Sequence, residues 1–232
     1  MKQGVFYSVG IGPGDPKLMT FLAAETISEC PVIALPDSGA GDNAAQQIAA
    51  PWLEGKELLF CPMPMTRDRK KLLAAREESA AKVAAVLEQG KDVAFLTLGD
   101  PSIYATPMYL HHILKEKGYQ TKMIPGITSF CAVSASLDIP LCEGGEPLHV
   151  IPASYLDLDQ ALSLPGTKVL MKSGKSIAEV KKRIDENTMT AMAVERCGME
   201  GEKRHVTLDT LQDNASYFSV VVVKEKQTEG QA

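Results

Sequence analysis

The sequence predicts an α/β protein made of two α/β domains. Over the first two-thirds of its 232 residues, short apolar runs rich in Val, Ile and Leu alternate with longer helical stretches. This alternation is typical of a largely parallel sheet covered by helices. Between Ile139 and Pro147 the composition changes to two prolines, two glycines and two glutamates, which indicates a linker. We therefore place the first domain at residues 1-140 and the second at residues 147-232.

Two long helices are predicted in the first domain. Asp15 followed by Pro16 is the pattern of an N-cap with proline at the first helical position, so the first helix is expected over 15–29. The second is expected over 68–89, where apolar residues recur along one helical face. The strands predicted around these helices lie at 5–9, 32–35, 58–61, 93–98 and 122–124.

The second domain is predicted to continue the alternation. A helix is expected near 176–186. The last apolar run follows the turn-like pair Asp213-Asn214, which indicates an antiparallel partner for that strand. The apolar runs of this domain lie at 148–151, 169–171, 190–194 and 218–223.

The charge balance argues against an extended nucleic-acid surface. The net charge is −5, whereas binding to phosphates calls for an excess of clustered Lys and Arg. The cluster Lys181-Lys182-Arg183 is interpreted as the solvated face of a helix. No apolar run approaches the roughly 18 to 20 residues that cross a bilayer, and no secretory signal pattern opens the sequence. We expect a cytoplasmic protein with neither a nucleic-acid nor a membrane partner.

The cysteines and histidines predict neither a disulfide framework nor a metal site. The 5 cysteines are odd in number and include no CxxC pair. The 4 histidines show no ligand spacing such as HExxH. We therefore expect no metal bound by the protein itself.

Three glycine-containing segments each follow a predicted strand and precede a helical stretch. They are Gly10-Ile11-Gly12-Pro13-Gly14-Asp15, then Gly99-Asp100-Pro101, then Pro125-Gly126-Ile127-Thr128-Ser129. Glycines at such turns let a ligand approach the backbone closely. In an open parallel sheet, ligands bind beyond the carboxyl ends of the strands. The segments therefore predict a binding site at that edge, although each one alone is also compatible with a plain turn and helix cap.

Two nucleotide-binding motifs are each missing one required glycine. A dinucleotide loop counted from Gly10 needs glycine where Asp15 stands, and the Asp15 carboxylate would occupy the helix end that holds a pyrophosphate. The segment 172–176 ends in Gly-Lys-Ser, but a P-loop needs glycine at the position of Val169. No G-x-S-x-G elbow supports hydrolase chemistry.

Taken together, the three glycine-containing segments resemble the tetrapyrrole methylase family. Its members open with a GPGD loop, carry GDP after a central strand and continue with P-G-[IV]-[TS]-[SA], and all three occur here in that order. The stretch from Val194 to Glu202 is similar to the family's late segment beside the cofactor, so the resemblance covers nearly the whole chain. Residues 92–104 and 125–130 resemble the members that methylate C20 of the ring in cobalamin biosynthesis.

The resemblance implies an S-adenosylmethionine-dependent C-methyltransferase. It further implies a homodimer of two-domain subunits, unlike the Rossmann methyltransferases, with the active site in the cleft between the two α/β domains. By position in the matching motifs, it implies cofactor contacts from Pro13, Leu98, Gly99, Asp100, Ile103, Thr128, Ser129, Met171 and Cys197.

The implied reaction is methylation of cobalt-factor II at C20 in the anaerobic route to cobalamin. Metal-free precorrin-2 is the alternative substrate. Another ring carbon, or another small molecule such as a diphthine precursor, is a wider alternative. A non-catalytic tetrapyrrole-binding protein is a further alternative. The three intact glycine-containing segments argue against it. Cobalt would arrive inside the macrocycle and need leave no ligand signature in the protein.

Four side chains are candidates for contacts with this substrate. Tyr104 follows the second segment and is the candidate for a polar group at the reacting carbon, with a packing role as the alternative. The ring carries several carboxylates, which cations bind through charge-assisted hydrogen bonds. Arg67, Arg69 and Arg196 are the candidate cations, with solvated surface charge as the alternative for the first two. Methyl transfer from a sulfonium needs in-line geometry more than an acid or a base.

Overall fold

The computed structural model describes residues 2–39, 43–153, 157–174 and 176–226. The chain divides into two compact units, Met1–Thr128 and Ser129–Ala232. Each unit contains helices and one five-stranded sheet, which confirms the predicted α/β class. Within the described ranges, no helix is both long enough and apolar enough to cross a membrane.

The first unit is built on a parallel sheet. Its strands are β1 (Phe6–Gly10), β2 (Val32–Asp37), β3 (Glu57–Pro62), β4 (Val93–Thr97) and β5 (Thr121–Ile124). They lie in the order β3-β2-β4-β1-β5, and every neighbouring pair is parallel. Because all five strands run in the same direction, their carboxyl ends meet at one edge of the sheet.

Helices cover both faces of this sheet. They are α1 (Phe21–Glu29), α2 (Ala44–Ala49), α3 (Arg69–Glu88) and α4 (Pro107–Glu116). Phe95 of β4 joins Val83 of α3 and Leu110 of α4 in one buried cluster. The residues on either side of Phe95 in β4, Ala94 and Leu96, are buried on the opposite face, where α1 and α2 contact the sheet. The chain thus leaves the neighbouring strands β1 and β4 toward opposite faces, an arrangement that opens a crevice between their carboxyl ends.

The predicted strands of this unit agree with the structure to within two residues. The helix expected over 15–29 begins later than predicted. Asp15 accepts a hydrogen bond from Lys17 N at 2.9 Å and caps only a 3-10 turn, Pro16–Leu18. The Thr20 hydroxyl oxygen then accepts from Ala23 N at 3.1 Å and caps α1. Two N-caps in succession therefore divide the predicted helix into a short turn and a regular helix.

The second unit has a mixed sheet. Its strands are β6 (Leu148–Pro152), β7 (Thr167–Met171), β8 (Met189–Glu195), β9 (Lys203–His205) and β10 (Ser219–Glu225), in the order β6-β7-β10-β8-β9. β10 is antiparallel to both neighbours, β7 and β8, which confirms the antiparallel partner predicted for the last strand. The carboxyl ends of β7 and β8 therefore flank the start of β10 at one edge of the sheet.

Three helices complete the second unit: α5 (Ser129–Leu137), α6 (Leu158–Leu162) and α7 (Ile177–Arg183). One face of the sheet contributes Leu170 and Val221 to a buried cluster that includes Leu162 of α6 and Val180 of α7. α5 packs against β8 and β10. Because of this packing the second unit begins at Ser129, whereas the sequence placed the boundary after residue 140.

The predicted linker is an anchored loop inside the second unit. The Glu146 carboxylate accepts hydrogen bonds from the Thr167 hydroxyl at 2.7 Å and from Lys224 Nζ at 3.3 Å. Lys224 Nζ also donates to Pro140 O at 3.0 Å. Partial burial raises the pKa of Glu146, but these hydrogen bonds outweigh burial and hold the pKa below its ordinary value. The prolines and glycines of this segment therefore shape a loop that the sheet holds in place.

Candidate functional site

The three glycine-containing segments meet at the carboxyl edge of the first sheet. Gly10 ends β1, while Gly99 and Gly126 lie just beyond β4 and β5, the two strands on either side of β1. Gly12 and Gly99 form a β-bridge, in which Gly99 N donates to Gly12 O at 2.8 Å. Segments that are far apart in the sequence thus form one continuous surface of backbone.

Glycine is required where these segments touch. A Cβ atom on Gly10 would lie 2.6 Å from Gly99 O, and a Cβ on Gly126 would lie 2.2 Å from the same oxygen. The obstructing atom belongs to the backbone and has no rotamer by which to move away. These two glycines therefore let the turns pack against one another, and that packing fixes the positions of the turn amides.

Asp100 ties the second segment to the third. Its carboxylate accepts hydrogen bonds from Ser102 N at 2.8 Å and from Gly126 N at 2.9 Å, and also from the Ser102 hydroxyl. Partial burial raises the pKa of the Asp100 carboxyl, but the three hydrogen bonds outweigh burial and hold the pKa below its ordinary value. Asp100 is therefore an ionised group that organises two turns, a role that the sequence did not predict.

Thr128 carries a buried hydroxyl that has no partner among the described residues. Its Oγ1 is closed to solvent and makes no hydrogen bond with the part of the chain that the structure describes. A buried unsatisfied hydroxyl costs roughly 1 to 3 kcal/mol, so a ligand that bonds to it removes that cost. Thr128 ends the first unit, and the half-buried Ser129 begins α5 in the second.

The other cofactor contacts predicted in the first unit lie in the same segments. Pro13 is buried, and Leu98 and Ile103 are half-buried. Tyr104, the candidate polar group at the reacting carbon, is 47% exposed and has a φ of 49°, a conformation that few residues other than glycine adopt. Strained backbone of this kind clusters at functional sites. The contacts of these residues with a cofactor stay predictions.

The second unit places the remaining candidates at one edge of its own sheet. Met171 ends β7, and Arg196 and Cys197 follow β8. Arg196 has a φ of 52°, and its Nε donates to Glu200 O at 2.8 Å. Met171 and Arg196 are half-buried, so each side chain packs against the protein and is also accessible to a ligand.

Cys197 is suited to packing and not to nucleophilic chemistry. The residue is 9% exposed, and burial, with a further contribution from the Glu202 carboxylate, raises the pKa of its thiol to about 11. A thiol of this pKa is protonated at neutral pH and reacts slowly, because the thiolate is the nucleophile. Among the described residues, no cluster of three or more His, Cys, Asp and Glu side chains is arranged to hold a metal ion.

The sequence did not predict a largely buried polar pair beside Arg196, formed by Glu195 and His205. The Glu195 carboxylate accepts from Ser216 N at 2.9 Å and lies 3.1 Å from His205 Nε2, while His205 Nδ1 lies 2.8 Å from Thr210 Oγ1. Burial raises the pKa of Glu195, but its hydrogen bonds hold the pKa below its ordinary value. The pairing of β8 with β9 brings Glu195 and His205 together, and only the register of those strands would have revealed it.

Arg67 and Arg69 lie at the start of α3, which the chain enters from the carboxyl end of β3. Both are exposed, and with Lys70 and Lys71 they place four cations within five residues. None of the four forms an ion pair with any residue that the structure describes. Arg69, Lys70 and Lys71 lie in the first turn of α3, where cations oppose the helix dipole, so their placement lowers stability.

Comparison with known proteins agrees with the motifs. Residues 5–212 match the family model of the Tetrapyrrole (Corrin/Porphyrin) Methylases. A probable cobalt-precorrin-2 C(20)-methyltransferase of Methanocaldococcus jannaschii is 32% identical over 228 residues, covering 94% of this chain and 95% of the relative. A precorrin-2 C(20)-methyltransferase of Sinorhizobium sp is 29% identical over 238 residues, covering 95% of each chain.

A solved structure shares the fold. The uroporphyrin-III C-methyltransferase from Thermus thermophilus, in complex with S-adenosyl homocysteine, has a TM-score of 0.70 at 20% identity. The match covers 95% of this chain and 92% of that chain, which confirms the fold that the resemblance implied. The family model extends from the first segment to beyond β9 and so takes in both units. The chain belongs to the tetrapyrrole (corrin/porphyrin) methylase family.

Proposed function

We propose that this enzyme transfers the methyl group of S-adenosylmethionine to C20 of cobalt-factor II in the anaerobic biosynthesis of cobalamin. The observation that carries the proposal is the meeting of the three family segments at one sheet edge, where the Thr128 hydroxyl has no hydrogen-bond partner among the described residues. Two relatives that match over nearly their full length are named for C20 methylation, one of cobalt-precorrin-2 and one of precorrin-2. Both names give C20 as the methylated carbon, but only one names a substrate that contains cobalt. The preference for the cobalt-loaded ring therefore rests on the overall likeness of the sequence to enzymes of that route.

The residues at the first edge fit S-adenosylmethionine. Its polar groups need hydrogen-bond partners, and this edge supplies the buried Thr128 hydroxyl, which has no partner among the described residues. Asp100 uses three of about four acceptor positions of its carboxylate within the protein, which leaves one for a ligand. We assign the cofactor contacts to Pro13, Leu98, Gly99, Asp100, Ile103 and Thr128 from the first unit and to Ser129, Met171 and Cys197 from the second.

The chemistry requires positioning from the protein. Bound S-adenosylmethionine supplies an electrophilic methyl group on a sulfonium, and its leaving group is a neutral thioether that needs no acid. The turns at the first edge hold the donor in a fixed orientation, and alignment of this kind accounts for a large part of such a rate enhancement. Tyr104 follows the Asp100 turn and has a strained backbone. We assign to its side chain a polar contact at the reacting carbon.

The cations at the start of α3 are assigned to the carboxylates of the ring. They are exposed, they lack ion pairs within the described chain, and their position against the helix dipole brings no structural benefit. A substrate with several carboxylates would neutralise them through charge-assisted hydrogen bonds. Arg67 and Arg69 are assigned this role in the first unit and Arg196 in the second.

Arg69→Glu is expected to stabilise the fold slightly and to weaken ring binding. A carboxylate in the first turn of α3 interacts favourably with the dipole, by about 0.3 to 1 kcal/mol, but it repels the ring carboxylates. Denaturant unfolding measures the first effect, and steady-state kinetics should show the KM for the ring raised about tenfold, less so at high salt.

Lys2→Glu is the matched control for this charge reversal. Lys2 is exposed and precedes β1, at the opposite edge of the sheet from the glycine turns. Lys2→Glu should leave the KM for the ring unchanged. Neither Lys2→Glu nor Arg69→Glu should alter the KM for S-adenosylmethionine. An unchanged ring KM in Arg69→Glu would remove the α3 cations from the substrate site.

One incubation tests donor, substrate and carbon together. The enzyme is supplied with isotopically labelled S-adenosylmethionine and either cobalt-factor II or metal-free precorrin-2, and the label is located by NMR and mass spectrometry. Faster transfer to C20 of cobalt-factor II is expected. Preference for the metal-free ring would overturn the substrate and keep the enzyme class, label at another carbon would overturn the C20 assignment, and no transfer to any tetrapyrrole would overturn the proposal.

The same proposal includes the setting in which the enzyme works. We place it in the cytoplasm as a homodimer, with no metal held by the protein itself and with cobalt entering as part of the substrate. Light scattering measures the oligomeric state. A non-catalytic tetrapyrrole-binding protein is distinguished by calorimetry, because it would bind the ring and neither S-adenosylmethionine nor its demethylated product.

A further inference from the structure

The segment that follows β7 takes no part in the contacts assigned to the cofactor or the ring. It consists of Lys172, Ser173 and Gly174, which come directly after Met171 at the carboxyl end of the strand. It belongs to the incomplete P-loop pattern of the sequence, whose Lys175 lies outside the described residues. Because the required glycine is replaced by Val169, which is fully buried in β7, the segment cannot wrap around a phosphate.

Lys172 is held in a strained conformation. Its φ is 55°, in the left-handed region where the side chain of any residue other than glycine crowds its own backbone. Gly174, two residues later, is packed so closely that a Cβ there would lie 2.9 Å from both Ala215 O and Ser216 O. The contact with the 215–216 backbone therefore restricts the segment, and the fold holds a lysine where glycine would be relaxed.

Ser173 has a hydroxyl that no described residue satisfies. The residue is 0% exposed, and its Oγ makes no hydrogen bond with any described residue. Its carbonyl oxygen accepts from Ser176 N at 2.6 Å, so the backbone of the residue is fixed while its side chain is unpartnered. A buried hydroxyl in this state gains from a ligand that accepts its proton in a hydrogen bond.

The ammonium group of Lys172 is partly removed from water. Burial lowers the pKa of Lys172 because it penalises the charged form. An anion bound beside the ammonium would stabilise that charged form and raise the pKa again. A partly buried cation and a buried hydroxyl without a partner among the described residues thus lie on consecutive residues, and both are donors suited to carboxylate oxygens.

We propose that Lys172 and Ser173 form a subsite that binds a carboxylate group. This inference rests on the proposed function, because the anionic groups of both reactants are carboxylates: one on the amino-acid part of S-adenosylmethionine and several on the rim of the ring. The subsite lies directly after Met171, which is assigned a cofactor contact. Arg196 follows β8, on the other side of β10, and provides a second cation at the same sheet edge.

Calorimetry with two cofactor fragments tests the subsite and identifies the source of the carboxylate. S-adenosylhomocysteine carries the amino-acid carboxylate, whereas 5′-methylthioadenosine keeps the adenosine and the thioether and lacks it. Lys172→Asn removes the charge and keeps a residue that tolerates a positive φ, while Lys172→Arg keeps the charge. Ser173→Ala removes the unpartnered hydroxyl.

If the carboxylate belongs to the cofactor, Lys172→Asn and Ser173→Ala are expected to weaken S-adenosylhomocysteine binding about tenfold or more and to leave 5′-methylthioadenosine binding unchanged. If it belongs to the ring, both variants raise the KM for the ring and leave both cofactor fragments unaffected. In either case Lys172→Arg restores most of the lost affinity. Thermal unfolding should show that Ser173→Ala is at least as stable as the unmodified protein, because it deletes an unsatisfied group.

Lys182→Asn provides the control for loss of a positive charge on the same unit, since Lys182 is an exposed residue of α7. It should change none of these affinities. Unchanged affinity of Lys172→Asn and Ser173→Ala for S-adenosylhomocysteine and for the ring, in a protein that binds both before substitution, would overturn the subsite alone. Failure of the unmodified protein to bind either ligand would overturn the proposed function and the subsite with it.

Discussion

Gly126→Ala is expected to disrupt the glycine-lined edge of the first sheet and to weaken cofactor binding strongly. The added Cβ would lie 2.2 Å from Gly99 O and 2.8 Å from both C and O of Gly10, so the three turns cannot keep their positions. Overpacking against backbone should destabilise the protein by about 3 kcal/mol, at the upper end of what such changes cost. Displacement of the third turn also breaks the hydrogen bond from Gly126 N to Asp100. Affinity for S-adenosylhomocysteine should fall by more than about 100-fold.

Denaturant unfolding and calorimetry measure the two effects of Gly126→Ala separately. Gly145→Ala is the matched control, because a Cβ on Gly145 meets no atom within 4 Å and the backbone there is outside the left-handed region. This control should keep both the stability and the affinity of the unmodified protein. Normal binding by Gly126→Ala would show that the cofactor does not depend on the close packing of the three turns.

The sequence predicted the turns correctly and could not predict how they touch. Each strand-turn-helix unit is a local pattern that a few glycines and a cap reveal. Contact between the turns follows from the strand order, which places β1 between β4 and β5 through pairings across most of the first unit. Gly10 was interpreted as making room for a ligand, whereas the structure shows that it makes room for the carbonyl of Gly99.

The boundary between the units shows the same limit of local patterns. The segment 139–147, which follows the helix Ser129–Leu137, has the composition of a linker. Long-range contacts decide the outcome: α5 packs on β8 and β10, and Lys224 holds the loop after it through hydrogen bonds to Pro140 O and to the Glu146 carboxylate. The strain at Lys172 and Arg196 was likewise hidden, because lysine and arginine rarely adopt a positive φ.

Asp100→Ala is expected to weaken binding of S-adenosylhomocysteine about 10- to 100-fold through the loss of turn geometry. The carboxylate bonds both Ser102 N and Gly126 N, and hydrogen bonds to a charged group contribute about 1.5 to 3 kcal/mol each. The affinity of Asp100→Asn should lie between those of Asp100→Ala and the unmodified protein. Its amide keeps one acceptor oxygen, but its NH₂ group faces a hydrogen-bond donor. Calorimetry measures the affinities, and thermal unfolding separates them from loss of the fold.

Ser102→Ala and the pH dependence decide whether Asp100 acts as an organiser of the turns. Ser102→Ala removes only the hydroxyl contact and keeps both backbone hydrogen bonds, so its affinity should stay within about threefold of the unmodified protein. The pKa of Asp100 is depressed in the folded protein, so its stabilising effect is present above the ordinary pKa of 3.8 and is lost as the pH falls through the lower, folded value. The difference in affinity between Asp100→Ala and the unmodified protein should therefore be constant from about pH 5 upward. A difference that changed with pH near neutrality would mean that the carboxyl exchanges a proton when the cofactor binds, and equal affinity of the two proteins would remove Asp100 from the site.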